Sequence, residues 1–251
     1  MPKIFVNKSV HIDAPPEAIF PKLNDFHEWP KWSPWLIQEP EATVTVADDG
    51  KSYSWQGKRV GSGEMSVISE TKDEYLNCDL TFLTPYKSTA KTSFKLTPRD
   101  GGTEVSWTMD SSLPFFMFWM KKSMEAFIGS DYDRGLAMLK ELSEDGTVHS
   151  SLDFKGESEF AGCEYIGKTT HCTIDQVGLK MQADFTAISN YIKENEDNIA
   201  GIPFSIYHKW NMVKRNVSYT AAVPVKELPT PLPVGMIAGK ILATRIYTLR
   251  H

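Results

Sequence analysis

Trp35, Trp55, Trp107, Met109, Phe116, Trp119 and Met120 are the side chains of this sequence best suited to holding a ligand, being large, apolar and polarisable. Their chemistry is contact with a hydrophobic or aromatic small molecule rather than bond making. Burying one tryptophan is worth on the order of 4–6 kcal/mol by area, so each must be covered by protein or by ligand. Any one of them serves equally as plain core; their number favours a pocket. Groups that move protons are scarce beside them. Asp79 lies between Cys78 and Leu80, and Glu64 is out of phase with Met65 and Val67, so strand alternation turns both outward. Asp110 follows Met109 at a strand end, and His11 is out of phase with Val10 and Ile12. His27, in the tryptophan-rich segment 24–35, is the histidine expected at a pocket mouth. There is no nucleophile with an adjacent base and orienter. The alternative is an enzyme, a cyclase, dehydratase or hydrolase acting on a lipophilic substrate, with His27, Asp110 and Tyr207 as first candidates.

A second cluster, Tyr207, His208, Trp210 and Tyr219, lies in the last third of the chain. Tyr207 and Tyr219 offer ring faces to a cationic or aromatic ligand, although a cross-strand aromatic ladder has the same pattern. Glu164 and Glu227 are candidate carboxylate partners. No C-x-x-C or H-x-x-x-H spacing occurs, and no glycine-rich phosphate loop opens a helix, so neither a metal nor a nucleotide cofactor is expected.

The elements that must position these residues follow from periodicity. Val6, Val10 and Ile12 give a first strand, Pro15-Pro16 stops it, and 17–23 reads as a short helix. The stretch NDFHEWPKWSPW reads as a loop packed by its own tryptophans. Short alternating runs then follow: Val44/Val46, Tyr53/Trp55, Met65/Val67, Leu76/Cys78/Leu80/Phe82, Ala90/Thr92/Phe94/Leu96 and Val105/Trp107/Met109. Pro98 to Gly102 reads as a hairpin turn. Many strands joined by tight turns imply an antiparallel sheet. Residues 115–142 read as one long helix with an almost wholly apolar entrance, its stripe running through Trp119, Met120, Met124, Phe127, Ile128, Leu136, Leu139 and Leu142. An entrance that apolar must be wrapped by the sheet, with Phe116, Trp119 and Met120 on the inner wall of a cavity.

Segment 146–158 is polar and aperiodic, a linker by composition. It separates a domain over 1–145 from one over 159–251. The second opens with a strand over 163–174 and continues with a helix capped by Asp175. That helix carries the stripe Val177, Met181, Phe185, Ile188 and Ile192 and ends within 194–201. Two strands follow, at 204–210 and 217–225, and one more at 240–249. The last looks like the start of a second copy.

The 251 residues are 41% hydrophobic and 24% charged, with net charge −5 and a pI near 5.7, which argues against direct nucleic-acid binding. There is no leader-like N-terminus and no run of 18 apolar residues, so no membrane span is expected. Three unpatterned cysteines read as reduced thiols of a cytoplasmic protein.

The motifs IDAPPEAIF at 12–20, WPKWSPW at 29–35 and DRGLAMLK at 133–140 give residues 3–144 a resemblance to the START-like helix-grip superfamily, within it the polyketide cyclase/dehydrase (SRPBCC) type. That resemblance implies an α+β fold, a curved antiparallel sheet gripping a long C-terminal helix around a hydrophobic cavity. Members bind lipids, hormones and polyketide-like molecules, and a minority are enzymes. PFSIYHKW at 203–210 and YTAAVPV at 219–225 resemble a gyrase-inhibitor-like domain, the effector-binding module of bacterial multidrug-sensing regulators. It implies strand–helix–strand–strand copies around a ligand groove, to which Tyr207 and Trp210 would contribute. Such modules usually sit behind a DNA-binding unit, and direct regulation is not expected here without a separate DNA-binding partner. The expected function is therefore small-molecule binding in one or two pockets, with sensing as its finer form.

Overall fold

A computed structural model describes residues 2–193 and 196–251. The helix end expected within 194–201 lies partly outside these residues. The chain divides into two compact units, up to Asp153 and Phe154–Arg250.

In the first unit, β1 (Lys3–Ile12) and α1 (Pro16–Asn24) precede six further strands: β2 (Thr43–Val46), β3 (Ser52–Gln56), β4 (Ser62–Thr71), β5 (Tyr75–Thr84), β6 (Ser88–Arg99) and β7 (Gly102–Ser112). They form one antiparallel sheet in the order β1-β7-β6-β5-β4-β3-β2. Consecutive hairpins build it from β2 to β7, and β1 closes against β7. The β6–β7 turn places Asp100 at φ 50° and Gly101 at φ 80°, left-handed conformations that a two-residue hairpin requires. A single burial phase runs through β5 and β6: Leu76, Cys78, Leu80, Ala90, Phe94 and Leu96 face the core, while Asp79 and Lys91 face solvent.

The long helix differs from expectation at its start. Phe115–Met120 is a 3-10 helix, and the α-helix α2 runs Lys121–Glu144. On α2 the inward row is Met124, Ile128 and Tyr132, then Leu136, Leu139 and Leu142. Phe127, one position off that row, is 62% exposed, so it does not belong to the stripe. Gly135 lets the helix approach the sheet: a Cβ there would lie 2.8 Å from the Trp107 ring and 3.0 Å from Pro34.

The tryptophan segment is pinned rather than loose. Trp29 and Trp32 are fully buried, and their indole N–H groups donate to the carbonyls of Leu23 (2.9 Å) and Lys22 (3.0 Å) at the end of α1.

In the second unit, β8 (Asp153–Phe160), β9 (Cys163–Thr173), α3 (Val177–Ile192), β10 (Phe204–Asn211), β11 (Asn216–Val225), β12 (Ile237–Ile241) and β13 (Thr244–Arg250) form two sheets, β10-β11-β9-β12 and β13-β8. Three local expectations are corrected. The segment read as linker is in part strand β8, because β13 supplies backbone partners that composition cannot reveal. The strand expected over 240–249 is two strands in different sheets. Asp175 does not cap the helix: Gln176 is at the N-cap without a side-chain bond, and Asp175 instead pairs with Arg215. The α3 stripe docks on β9 and β11, with Ile188 packed among Val217, Tyr219, Ala221 and Val223.

Candidate functional site

The wrapped sheet and α2 leave a cavity of about 440 Å³ inside the first unit. Its wall comes from nearly every element. The middle strands contribute Tyr53, Trp55, Met65, Leu80, Thr92, Trp107 and Met109; the helical side contributes Met117, Met120, Met124, Ile128 and Tyr132. Trp35 enters from the tryptophan segment. Alternation explains the strand side: Tyr53 and Trp55 share a face, and Trp55 sits opposite Gly63, where a Cβ would lie 2.4 Å from the indole. Aromatic rings meet edge to face, Trp35 on Trp107 at 5.7 Å and Trp55 on Phe82 at 6.0 Å.

Of the seven residues expected here, Trp35, Trp55, Trp107, Met109 and Met120 line the cavity. Phe116 and Trp119 do not: they are 71% and 70% exposed, and the inner-wall expectation for them is overturned. The cause is local geometry. In a 3-10 helix, residues three apart eclipse, so Met117 and Met120 form one row facing the cavity. Phe115/Phe118 and Phe116/Trp119 form the other two rows, facing out. An α-helical period assigns these faces differently.

Polar groups are few and specific. Thr92 Oγ1 lies 2.9 Å from the Thr108 carbonyl, which only accepts, so the threonine proton is committed there. The Trp107 indole N–H then donates to Thr92 Oγ1 at 2.8 Å, and the Tyr132 hydroxyl donates to the same oxygen at 3.2 Å. Tyr132 has thereby spent its proton and keeps acceptor lone pairs. The Tyr53 hydroxyl has no hydrogen-bond partner among the described residues, so its donor is unspent. Burial pushes both phenols above the ordinary tyrosine value; nearby Cys78 adds to the effect at each, while the Thr92 hydrogen bond works against it at Tyr132. Both stay neutral near pH 7. No Asp, Glu, His, Lys or Arg lines the cavity among the described residues.

Two carboxylates hold the wall without reaching the space. Glu39, 4% exposed, accepts the backbone N–H groups of Lys58 (2.7 Å), Arg59 (2.8 Å) and Val60 (2.9 Å). The Val60 hydrogen bond is the largest influence, and together the three donors hold the Glu39 carboxyl below the usual range against the opposing effect of burial. The clamp sets Val60 in the cavity wall, and Val60 in turn receives the Trp55 indole N–H on its carbonyl at 3.2 Å. Asp131 accepts from the Trp35 indole at 3.2 Å; burial pushes its carboxyl up, with Arg134 and Trp35 opposing.

The proton-moving candidates lie elsewhere. His27 is exposed and sits 2.8 Å from Asp25 Oδ1; Asp110 is exposed on the outer sheet face. Neither is part of the cavity wall. Tyr207 and Trp210, both half-exposed on β10, meet edge to face at 5.5 Å. Glu164 pairs with Lys240 at 3.4 Å, and Glu227 is tied through its backbone to Asn198. Sequence reasoning missed Tyr132 and Thr92 as site residues and took Tyr53 only as a strand residue. Tyr132 sits among acids in GSDYDRG and looks solvated; its signal is the four-residue step from Ile128 and to Leu136. Among the described residues no cluster of metal-ligating side chains occurs, and no helix is long and apolar enough to cross a membrane.

Solved structures match a little over half of the chain at low identity. Protein MLL2253 from Mesorhizobium loti is 16% identical, with 55% of this chain and 95% of that chain covered at a TM-score of 0.43. Protein CV1439 from Chromobacterium violaceum is 16% identical, at 56% and 98% coverage and TM-score 0.43. The Aha1 dimer from Colwellia psychrerythraea is 17% identical, at 57% and 98% and TM-score 0.42. No curated protein matches the chain. Residues 3–144, the whole of the gripping sheet and its closing helix, match the family described as "Polyketide cyclase / dehydrase and lipid transport", and to that family the chain belongs.

Proposed function

We propose that the first unit binds a lipophilic, ring-containing small molecule in its cavity, oriented by the Tyr53 and Tyr132 hydroxyls. One observation carries this reading: about 440 Å³ of space is walled by aromatic, methionine and aliphatic side chains, with no carboxylate, imidazole, ammonium or guanidinium among the described lining residues. The ligand's polar end needs an acceptor for Tyr53 and a donor for Tyr132. Acid–base turnover uses a group that titrates near the working pH, and two phenols held high by burial supply none, which supports binding over catalysis.

Titration with a fluorescent lipophilic probe such as anilinonaphthalene sulfonate tests this. Binding saturates in the parent and is lost in Met124→Trp, which fills the space, while Phe116→Ser/Trp119→Ser retains it. Absence of saturable binding below about 1 mM across a panel of lipophilic probes would sink the reading.

For the second unit we propose an effector-binding role, supported by the order β9-α3-β10-β11 and the half-exposed Tyr207–Trp210 pair. A cationic aromatic dye should bind there and lose affinity in Tyr207→Ala. Unchanged calorimetry in that variant counts against it.

A further inference from the structure

The 3-10 helix Phe115–Met120 turns its two methionines into the cavity and four large aromatics into solvent: Phe115 is 77% exposed, Phe116 71%, Phe118 61% and Trp119 70%. Apolar side chains exposed singly are ordinary, but four aromatics on one turn and a half form a contiguous patch that water does not favour. The turn runs directly into Lys121 and Lys122. Another turn that lines the cavity, between β5 and β6, has the same chemistry, with Leu83 and Tyr86 about half exposed and Lys87 beside them. The segments 83–88 and 113–124 together contain three lysines and no carboxylate, in a chain whose net charge is −5. Lys121 is shared with Glu125 at 3.7 Å, whereas Lys87 and Lys122 are exposed and unpaired among the described residues.

Aromatics that seat at the headgroup level, with lysines behind them reaching anionic headgroups, form the pattern of an interfacial membrane contact. Aromatics also anchor protein interfaces; what favours an anionic lipid surface is that lysines flank them on both segments with no carboxylate between. We propose that these two segments, both of which line the cavity, dock the first unit on the surface of an anionic lipid bilayer. The proposal deepens the reading of the cavity as a lipophilic site, because a ligand could pass between bilayer and cavity under Met117 and Met120 without crossing water. The contact itself does not depend on what the cavity holds. The overall negative charge repels an anionic surface from other faces, so it favours this orientation.

The test is flotation of the full chain with vesicles of phosphatidylcholine alone and with about one-third phosphatidylserine. The parent should float with the phosphatidylserine vesicles, less as salt rises. Phe116→Ser/Trp119→Ser should lower partitioning by about tenfold or more, with an unchanged thermal midpoint because both side chains are exposed. Lys87→Glu/Lys122→Glu should remove the preference for phosphatidylserine. Met65→Trp, which fills the cavity from β4 outside both segments, should float like the parent; this separates failure of the cavity reading from failure of the docking. No flotation of the parent, or equal flotation of the aromatic double variant, overturns the proposal. Self-association of the parent that the double variant abolishes, without vesicle binding, assigns the patch instead to a second copy of the chain.

Discussion

The ring of Trp107 on β7 stacks on that of Tyr132 on α2, centroids 3.9 Å apart and planes 13° from parallel. This contact joins sheet to helix and also delivers two of the three groups that meet at Thr92 Oγ1. Packing and the polar end of the cavity are therefore set by the same pair.

Gly135, one turn along α2, keeps that contact tight. In an exposed helix, glycine to alanine gains about 1 kcal/mol from helix propensity. At Gly135 the new methyl meets the Trp107 ring and Pro34, neither of which can swing away, and overpacking costs about 1–3 kcal/mol. Gly135→Ala is thus expected to destabilise on balance. A higher denaturant midpoint than the parent's would contradict the packing.

Tyr53→Phe separates binding from folding. The hydroxyl has no partner among the described residues, so its loss should change stability by no more than about 0.5 kcal/mol. Affinity for a cavity ligand with an acceptor should fall by up to about tenfold, the worth of one hydrogen bond. Equal affinity of parent and variant for such ligands would remove Tyr53 from the site.

The Glu39 clamp predicts a pH dependence. A carboxyl whose folded value is depressed contributes stability that is fully present above the ordinary glutamate value, near ~4.3, and is lost as pH falls through the lower folded value. Glu39→Gln should therefore melt lower than the parent at pH 7, with the gap closing on acidification below about pH 4. Thermal scans across that range decide it, and a constant gap would show that the clamp is not ionic.

Asp184 plays a comparable part in the second unit. It is 3% exposed on α3 and accepts from Thr170 at 2.7 Å, Tyr219 at 2.8 Å and Lys168 at 3.1 Å. Burial pushes its carboxyl up, but the three donors outweigh it and the net shift is downward. Asp184→Ala leaves those donors unpaired and should cost about 2–4 kcal/mol. Hydrogen exchange should speed up in β9 and β11; unchanged protection there would show the network to be dispensable.

The thiols provide a chemical check. Burial pushes Cys78 up to about 12, with Asp79 and Glu70 adding and Lys51 opposing. A thiol reagent near pH 8 should modify Cys163 and Cys172 in the native protein and reach Cys78 only after unfolding. Fast modification of all three would place Cys78 outside the core.

The strand pattern and its inward residues were legible from sequence, because one face of an antiparallel sheet must be apolar and the side-chain period is two. Trp55, Trp107 and Met109 follow from that rule alone. The family resemblance of 3–144 also rested on short motifs visible in the chain. Tertiary structure decided what depends on distant partners or on small differences in backbone geometry. A 3-10 turn has 3.0 residues where an α-helix has 3.6, and over six residues that drift moved Phe116 and Trp119 from wall to surface and left Met117 and Met120 inside. Tyr132 became a site residue through stacking on a strand 25 positions earlier, at Trp107, which no local pattern encodes. Glu39 became a clamp because a loop about twenty residues later turned three amides toward it. Apolar periodicity is local and survives in sequence; the pairing of a few polar atoms across the fold does not.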